Sequence, residues 1–321
     1  MRKTNHIKLD RVRGFGEVFN DTILFIRHNF SVLGKGVLFI AGPFYVVVAI
    51  VTTFIAFDPG GIRNNYLFES DNSQLNLLWS YVVIIITSVV ANMMVVGVVS
   101  YYFRLYREKG PGNFTVGDLA KLVFSRLPAL LGTTALMLLL VLVVALLLGL
   151  IIGGMASLGA GAAFFFVLIF FIGFLLICFP MWFYFYSIYI VRATERVGIF
   201  EAMSRVRWAM SGNYWSTWLV MFVFYLCLGL IGFSVAMPQQ IVFWILSASS
   251  ADSLMDYDTI LLIGSILTFI AQFINSYISG STYVTVGLHY FSLREKIQGE
   301  GMNEMIAQIG TPPEPDFETT Y

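Results

Sequence analysis

Residues Ala129–Gly154 read ALLGTTALMLLLVLVVALLLGLIIGG, with no charged side chain anywhere in the run. A helix needs about 20 apolar residues to cross a bilayer, and this stretch exceeds that. Lipid offers no partner to backbone N–H and C=O groups, so a spanning segment is either a helix or part of a closed barrel. Barrel strands alternate apolar and polar residues over about 10 positions. The run does not alternate, so it is a helix.

The rest of the chain repeats that reading. Of its residues, 58% are hydrophobic and 12% charged, and the mean hydropathy is +0.80. A soluble domain carries about 25% charged residues. Apolar runs place six spans at Gly36–Phe57, Leu77–Phe103, Pro128–Gly153, Ala160–Val191, Tyr214–Met237 and Thr259–Phe291. The fourth and sixth are longer than a membrane needs, so they tilt, kink or project. Pro180 is the natural kink point in the fourth. Beyond it, Trp182, Tyr184, Tyr186 and Tyr189 suit an interfacial aromatic belt. Residues 1–33 are charged throughout and lack a small-residue cleavage site, so no cleavable signal is expected. Cys178 and Cys227 lie inside apolar runs and read as small buried side chains.

Charge sets the expected orientation. Of the 19 lysines and arginines, all but Arg63 fall on one side of the six spans. That side holds the N-terminal segment, the second and fourth loops and the tail. The three loops opposite carry Asp58, Glu69, Asp71, Asp252, Asp256 and Asp258. Basic residues stay in the cytoplasm, so both termini are expected there. The formal net charge of zero conceals this polarity.

Amphipathic segments precede the odd-numbered spans. In FEAMSRVRWAMSGNYWSTW (Phe200–Trp218), Ala202, Met203, Val206, Ala209 and Met210 follow Ile199 on one helical face. Glu201 and Arg205 lie four apart on the other. Gly212 suits a helix end, with Tyr214, Trp215 and Trp218 at headgroup level beyond it. Before the first span, Phe15, Val18, Phe19, Thr22, Ile23, Ile26, Phe30 and Leu33 share a face. Before the third, Val116, Leu119, Ala120, Val123 and Leu127 do, and Thr115 with Asp118 resembles a capping box. Glu17 precedes Asn29-Phe30 by the same interval as Glu201 precedes Asn213-Tyr214. The expected fold class is therefore an all-α integral membrane protein. Its six transmembrane helices form three hairpins, each preceded by a cytoplasmic interfacial amphipathic helix. The membrane domain covers residues 1–300, in units of about 14–103, 115–191 and 197–291. Ile241–Leu246 reads as a short apolar piece of an outer loop, and residues 301–321 as an acidic, proline-containing, disordered cytoplasmic tail.

The stretches FNDTILFIRHNF and EAMSRVRWAMSGNYW resemble a widespread group of six-span bacterial membrane proteins. That group includes the membrane domain fused to some glycerophosphodiester phosphodiesterases and its stand-alone relatives of unknown function. The resemblance implies a bacterial cytoplasmic (inner) membrane location. It does not imply phosphodiesterase activity, because the chain has no room for the soluble barrel that performs it.

Catalytic patterns are sparse. The three histidines, His6, His28 and His289, fall in no metal-ligand spacing. Ser279 or Ser281 with His289 invites a serine-protease reading. It lacks the glycine two before the serine and a third orienting group. His289 reads more simply as an interfacial residue. The span interiors lack any charge, which argues against a proton-driven pump. No catalytic residue, metal or cofactor is expected.

The sixth span carries one polar stripe of Ser265, Thr268, Gln272, Asn275, Ser276, Ser279 and Thr282, at intervals of three and four. Asn92 in the second span is its distant partner. The first reading is glue, with small and hydroxyl residues hydrogen-bonding across helices. The second is a polar groove for a headgroup or solute. The expected function is a non-catalytic protein of the lipid interface or a scaffold of a membrane complex. The alternative is a transporter or channel for a neutral or amphipathic solute, with an intramembrane enzyme third. Expected partners are the lipid bilayer and a membrane protein or second copy of the chain, with no nucleic acid. A cysteine at Asn113 is expected to label with an impermeant maleimide only after lysis, and one at Asn64 in intact cells with a permeable outer barrier. The reverse pattern overturns the orientation.

Overall fold

A computed structural model describes residues 7–56, 73–155, 160–248 and 257–299, and all regular structure among them is helical. Helix α1 (Phe15–Gly36) runs through a π-helical turn (Val37–Ala41) into α2 (Gly42–Ala56). Then come α3 (Ser73–Lys109), the short α4 (Val116–Ser125), α5 (Leu127–Met155) and α6 (Ala160–Glu195). The short α7 (Ile199–Met210), α8 (Tyr214–Ala248) and α9 (Tyr257–Gln298) complete the order. Segments Phe15–Thr53, Tyr81–Lys109, Leu127–Leu150, Ile169–Glu195, Tyr214–Val242 and Leu262–Gln298 are long and apolar enough to cross a membrane. The chain is an all-α, multi-pass membrane protein.

The first span departs from expectation. No break separates the leading amphipathic segment from it, because Val37 keeps ordinary helical angles of φ −60° and ψ −45°. The irregularity comes later, where the Gly42 N–H donates to Val37 O five residues back. Pro43 follows at once and has no N–H for the regular ladder, which the wider turn accommodates. The buried face of α1 is also rotated. Val18, Thr22, Phe25, Asn29 and Leu33 are inside, whereas Phe15, Ile23 and Phe30 point outward. Thr22 Oγ1 donates to Val18 O at 2.7 Å and Asn29 Nδ2 to Phe25 O at 2.8 Å, so these polar side chains serve their own helix. Asn29 thus lies within a helix. Asn213, its counterpart in the register match, lies in the break before α8 and accepts from Lys296 Nζ at 2.8 Å.

The other two short helices are separate. At the start of α4, Thr115 N–H donates to Asp118 Oδ2 at 2.9 Å and Asp118 N–H to Thr115 Oγ1 at 3.2 Å. That capping box holds the Asp118 carboxyl below the usual carboxylate range, chiefly through the Thr115 backbone bond. Helix α7 buries Ala202, Val206 and Ala209 against α6 and α9, so protein supports the centre of its apolar face. Gly212, at φ 76°, ends it in the left-handed region that glycine tolerates. The segment Ile241–Leu246 is not a loop. It continues α8 through Pro238 to Ala248, since the apolar sequence favours helix on both sides of the proline. Helix α6 likewise runs through Pro180. Cys178 is half-buried, but Cys227 is exposed on α8 rather than buried. The tail at 301–321 lies outside the described residues.

Packing is graded along the bundle. At the charged end, Phe25 stacks on Phe103 at 5.2 Å and Phe103 meets Phe291 edge-on at 5.5 Å. A Cβ at Gly287 would stand 2.3 Å from the Phe103 ring, so this ring of α3 packs on α9 where residue 287 has no side chain. Toward the other end the helices expose apolar surface, including Ile85, Leu150, Leu230 and Leu262. Lipid chains solvate such surface as well as protein does.

Ion pairs close the charged end. Arg294 of α9 meets Glu195 of α6 at 3.2 Å and Asp10 of the leading segment at 2.7 Å. Glu195 also accepts from Tyr290 Oη at 2.9 Å and pairs with Arg205 of α7. Arg13 pairs with Asp21 at 2.8 Å, and its N–H donates to Ser292 Oγ at 2.8 Å. Removing one member of a buried pair leaves the other charge uncompensated, at roughly 3–5 kcal/mol. Glu195→Ala should lower the unfolding midpoint in detergent by a loss of that size. Arg207→Ala, at an exposed position, should leave it unchanged.

Candidate functional site

The stripe on α9 divides once its bonds are placed. Thr268 Oγ1 donates to Gly264 O at 2.8 Å, Ser276 Oγ to Phe273 O at 2.6 Å and Thr282 Oγ1 to Ile278 O at 3.2 Å. All three acceptors belong to α9 itself, so these hydroxyls glue no helices together. A helical Ser or Thr within reach of a carbonyl three or four residues back satisfies itself there. Gln272 and Asn275 form no hydrogen bond among the described residues. The interhelical bond in this set comes from Asn92 on α3, whose Oδ1 accepts from Tyr283 Oη at 3.1 Å. Its Nδ2 donates to Ser88 O at 3.1 Å.

Asn92, Asn275, Ser279 and Thr282 line one groove of about 320 Å³. Thr268, Gln272 and Ser276 do not. The groove lies close to the middle of four of the candidate spans. Trp182 and Tyr186 of α6 form one wall, and Tyr225, Leu228, Gly229 and Gly232 of α8 another. Nothing lies within 4 Å of where a Cβ would project from Gly229 or Gly232, so these glycines leave the groove unfilled. Tyr283 closes it on α9, buried and with its ring 4.6 Å from that of Tyr186. Tyr45 and Tyr225 are its further neighbours. The lining therefore combines amide and hydroxyl groups with aromatic faces, and none of its residues is charged.

The expected aromatic belt is only partly on lipid. Tyr186 faces the groove, and Tyr189 is buried with its hydroxyl 2.9 Å from Thr134 Oγ1. Tyr184 Oη donates to Met203 O at 3.3 Å. Tyr283 is a groove residue outside the sequence pattern of the stripe, although its position four residues after Ser279 places it on the same side of α9.

The serine-protease arrangement does not form. Ser281 Oγ donates to Ile278 O at 2.7 Å, while His289 Nε2 lies 3.2 Å from Thr217 Oγ1. His289 faces neither solvent nor the outer surface of the bundle. It is buried edge-on to Phe183 at 5.2 Å, because α6, α8 and α9 converge there. Among the described residues, no three His, Cys, Asp or Glu side chains gather into a metal-binding cluster. Compared with known proteins, the chain matches no family model, no curated protein and no solved structure.

The groove and the Asn92–Tyr283 bond make opposite demands on substitution. Asn92→Leu strands the buried Tyr283 hydroxyl and should cost about 1–2 kcal/mol in unfolding free energy. Asn275→Leu removes no bond and should leave the unfolding midpoint unchanged. A cysteine at Asn275 should react with a small water-soluble thiol reagent, whereas one at Ser276 should not. Equal protection of both would mean that the groove is closed.

Proposed function

We propose that this chain is a non-catalytic protein of the bacterial cytoplasmic membrane that holds one uncharged or zwitterionic amphipathic molecule in the groove between α3, α6, α8 and α9. The charge asymmetry of the loops supports a cytoplasmic location for both termini, with α4 and α7 at that face. The observation that carries the reading is the groove's composition. Asn92, Asn275, Ser279 and Thr282 supply donors and acceptors at mid-membrane depth, beside the aromatic faces of Trp182, Tyr186 and Tyr225. Polar groups at that depth are costly unless they pair with one another or with a ligand. Aromatic walls add apolar contact for a chain or ring, and sites for small molecules usually combine these two features.

This reading favours binding over scaffolding alone. The resemblance to stand-alone relatives of phosphodiesterase membrane domains is compatible with it and adds no chemistry to the groove. The same groove also suits the alternative of transport, in which the bound molecule would exchange between the two membrane faces.

The test uses Gly229→Leu, which projects a side chain into open space. The protein and its variant are isolated in native nanodiscs, and co-isolated small molecules are identified by mass spectrometry. A species enriched over bulk lipid in the natural protein should vanish from Gly229→Leu, with the unfolding midpoint unchanged. An identical complement in both would refute the binding site.

A further inference from the structure

A second cavity, of about 140 Å³, lies at the charged end and shares no residue with the groove. Its chemistry is cationic. Arg104 comes from α3, Arg126 from the joint of α4 and α5, and Arg192 and Arg196 from the end of α6. One carboxylate serves this group among the contacts described, and it is shared. Glu108 accepts from Arg104 Nε at 2.8 Å and from Arg196 Nη2 at 2.6 Å.

Arg126 and Arg192 have no carboxylate partner among the described residues. Arg126 is exposed, and its side chain makes no hydrogen bond there. Arg192 donates through Nη1 to Ala129 O at 2.8 Å and to Thr133 Oγ1, both neutral acceptors. Its Nε is buried and has no hydrogen-bond partner among the described residues. A guanidinium carries five N–H donors in a fixed fork suited to carboxylate and phosphate oxygens. Leaving part of that fork buried and unpaired costs free energy that an incoming anion restores. Tyr101 and Thr133 add hydroxyl groups to the same lining.

Local backbone geometry belongs to this arrangement. Arg196 takes φ 57°, a left-handed conformation normally left to glycine at the end of a helix. Glycine there would relieve the backbone and lose the guanidinium. Below the cavity, α5 presents the outward apolar side chains Leu131, Leu138 and Leu142, a surface along which an acyl chain can lie.

We infer that these four arginines form a phosphate-binding pocket whose occupant is the headgroup of an anionic phospholipid, with its acyl chains against α5. The inference is independent of the groove, because neither lining nor ligand class is shared. Free inorganic phosphate offers the same oxygens to the same guanidinium groups, so the test separates the two sources.

Full-length protein is placed in nanodiscs of equal phosphatidylcholine and phosphatidylglycerol, and retained lipids are counted by native mass spectrometry. The natural protein should retain phosphatidylglycerol preferentially. The double variant Arg126→Gln, Arg192→Gln should lose that preference by about tenfold, while Arg207→Gln should not. Arg126→Gln alone removes an exposed, unbonded side chain and keeps the fold, and it should show a smaller loss of the same sign. In a second arm, inorganic phosphate is titrated into protein held in phosphatidylcholine alone, with the unfolding midpoint as readout. Stabilisation abolished by the arginine substitutions, without any phosphatidylglycerol preference, would retain the phosphate pocket and overturn the lipid as its occupant. Variants indistinguishable from the natural protein in both arms would overturn the pocket.

Discussion

Glu195 and Arg294 face each other at 3.2 Å, each with 8% of its side chain exposed. Neither charge is tolerable there without the other, since burying an ion costs several kcal/mol even after relaxation. Each also recruits further partners. Arg294 reaches Asp10 and, 5.8 Å away, the face of Phe291. Glu195 takes Tyr290 and Arg205. The pair thereby joins the leading segment, the ends of α6 and α9 and the short helix α7. Hydrophobic attraction cannot hold helices together in lipid as it does in water, because lipid chains solvate apolar side chains equally well. Directional contacts at one end therefore matter more here than in a soluble bundle.

The bundle is fastened at that end. Close contacts such as Gly287 on Phe103 and Gly97 on Leu130 lie near the fastening. Farther along, the helices expose Leu150, Leu230 and Leu262. The groove lies between these regimes. Tyr283 and Asn92 still bridge α9 and α3 there, while Gly229 and Gly232 add no side chain to the groove from α8. The arginine pocket lies on another flank, where α3, α5 and α6 meet at the charged end.

Much of this was legible in the sequence because it depends on one helix at a time. Six apolar runs mark six spans, since length and charge exclusion are local properties. The capping box at Thr115 and Asp118 and the buried face of α7 follow from spacings of three and four. The join of α1 to its span was not legible, because glycines at 34 and 36 resemble a break and the π turn before Pro43 appears only in the backbone. The continuation of α8 through Pro238 was not legible either, because Ile241–Leu246 taken alone is a short apolar piece. The stripe on α9 was visible as a pattern, but the pattern does not say where a hydroxyl bonds. Thr268, Ser276 and Thr282 turn to their own helix, and only part of the stripe faces the groove. Tyr186, Tyr283 and the four arginines required knowledge of which helices are neighbours. Arg104, Arg126 and the pair Arg192 and Arg196 lie on three separate segments, and no periodicity within a single segment groups all four.

A ligand site and a packing fault between Asn92 and Asn275 would differ in what fills the space. An X-ray map of the protein crystallised from a lipidic mesophase would tell them apart. A ligand site predicts elongated density in the groove, its polar end within hydrogen-bond distance of Asn92, Asn275 or Ser279 and its apolar part against Trp182 and Tyr225. A map in which α8 closes on α9 and Gly229 packs directly on Asn275, leaving no space between them, would contradict it.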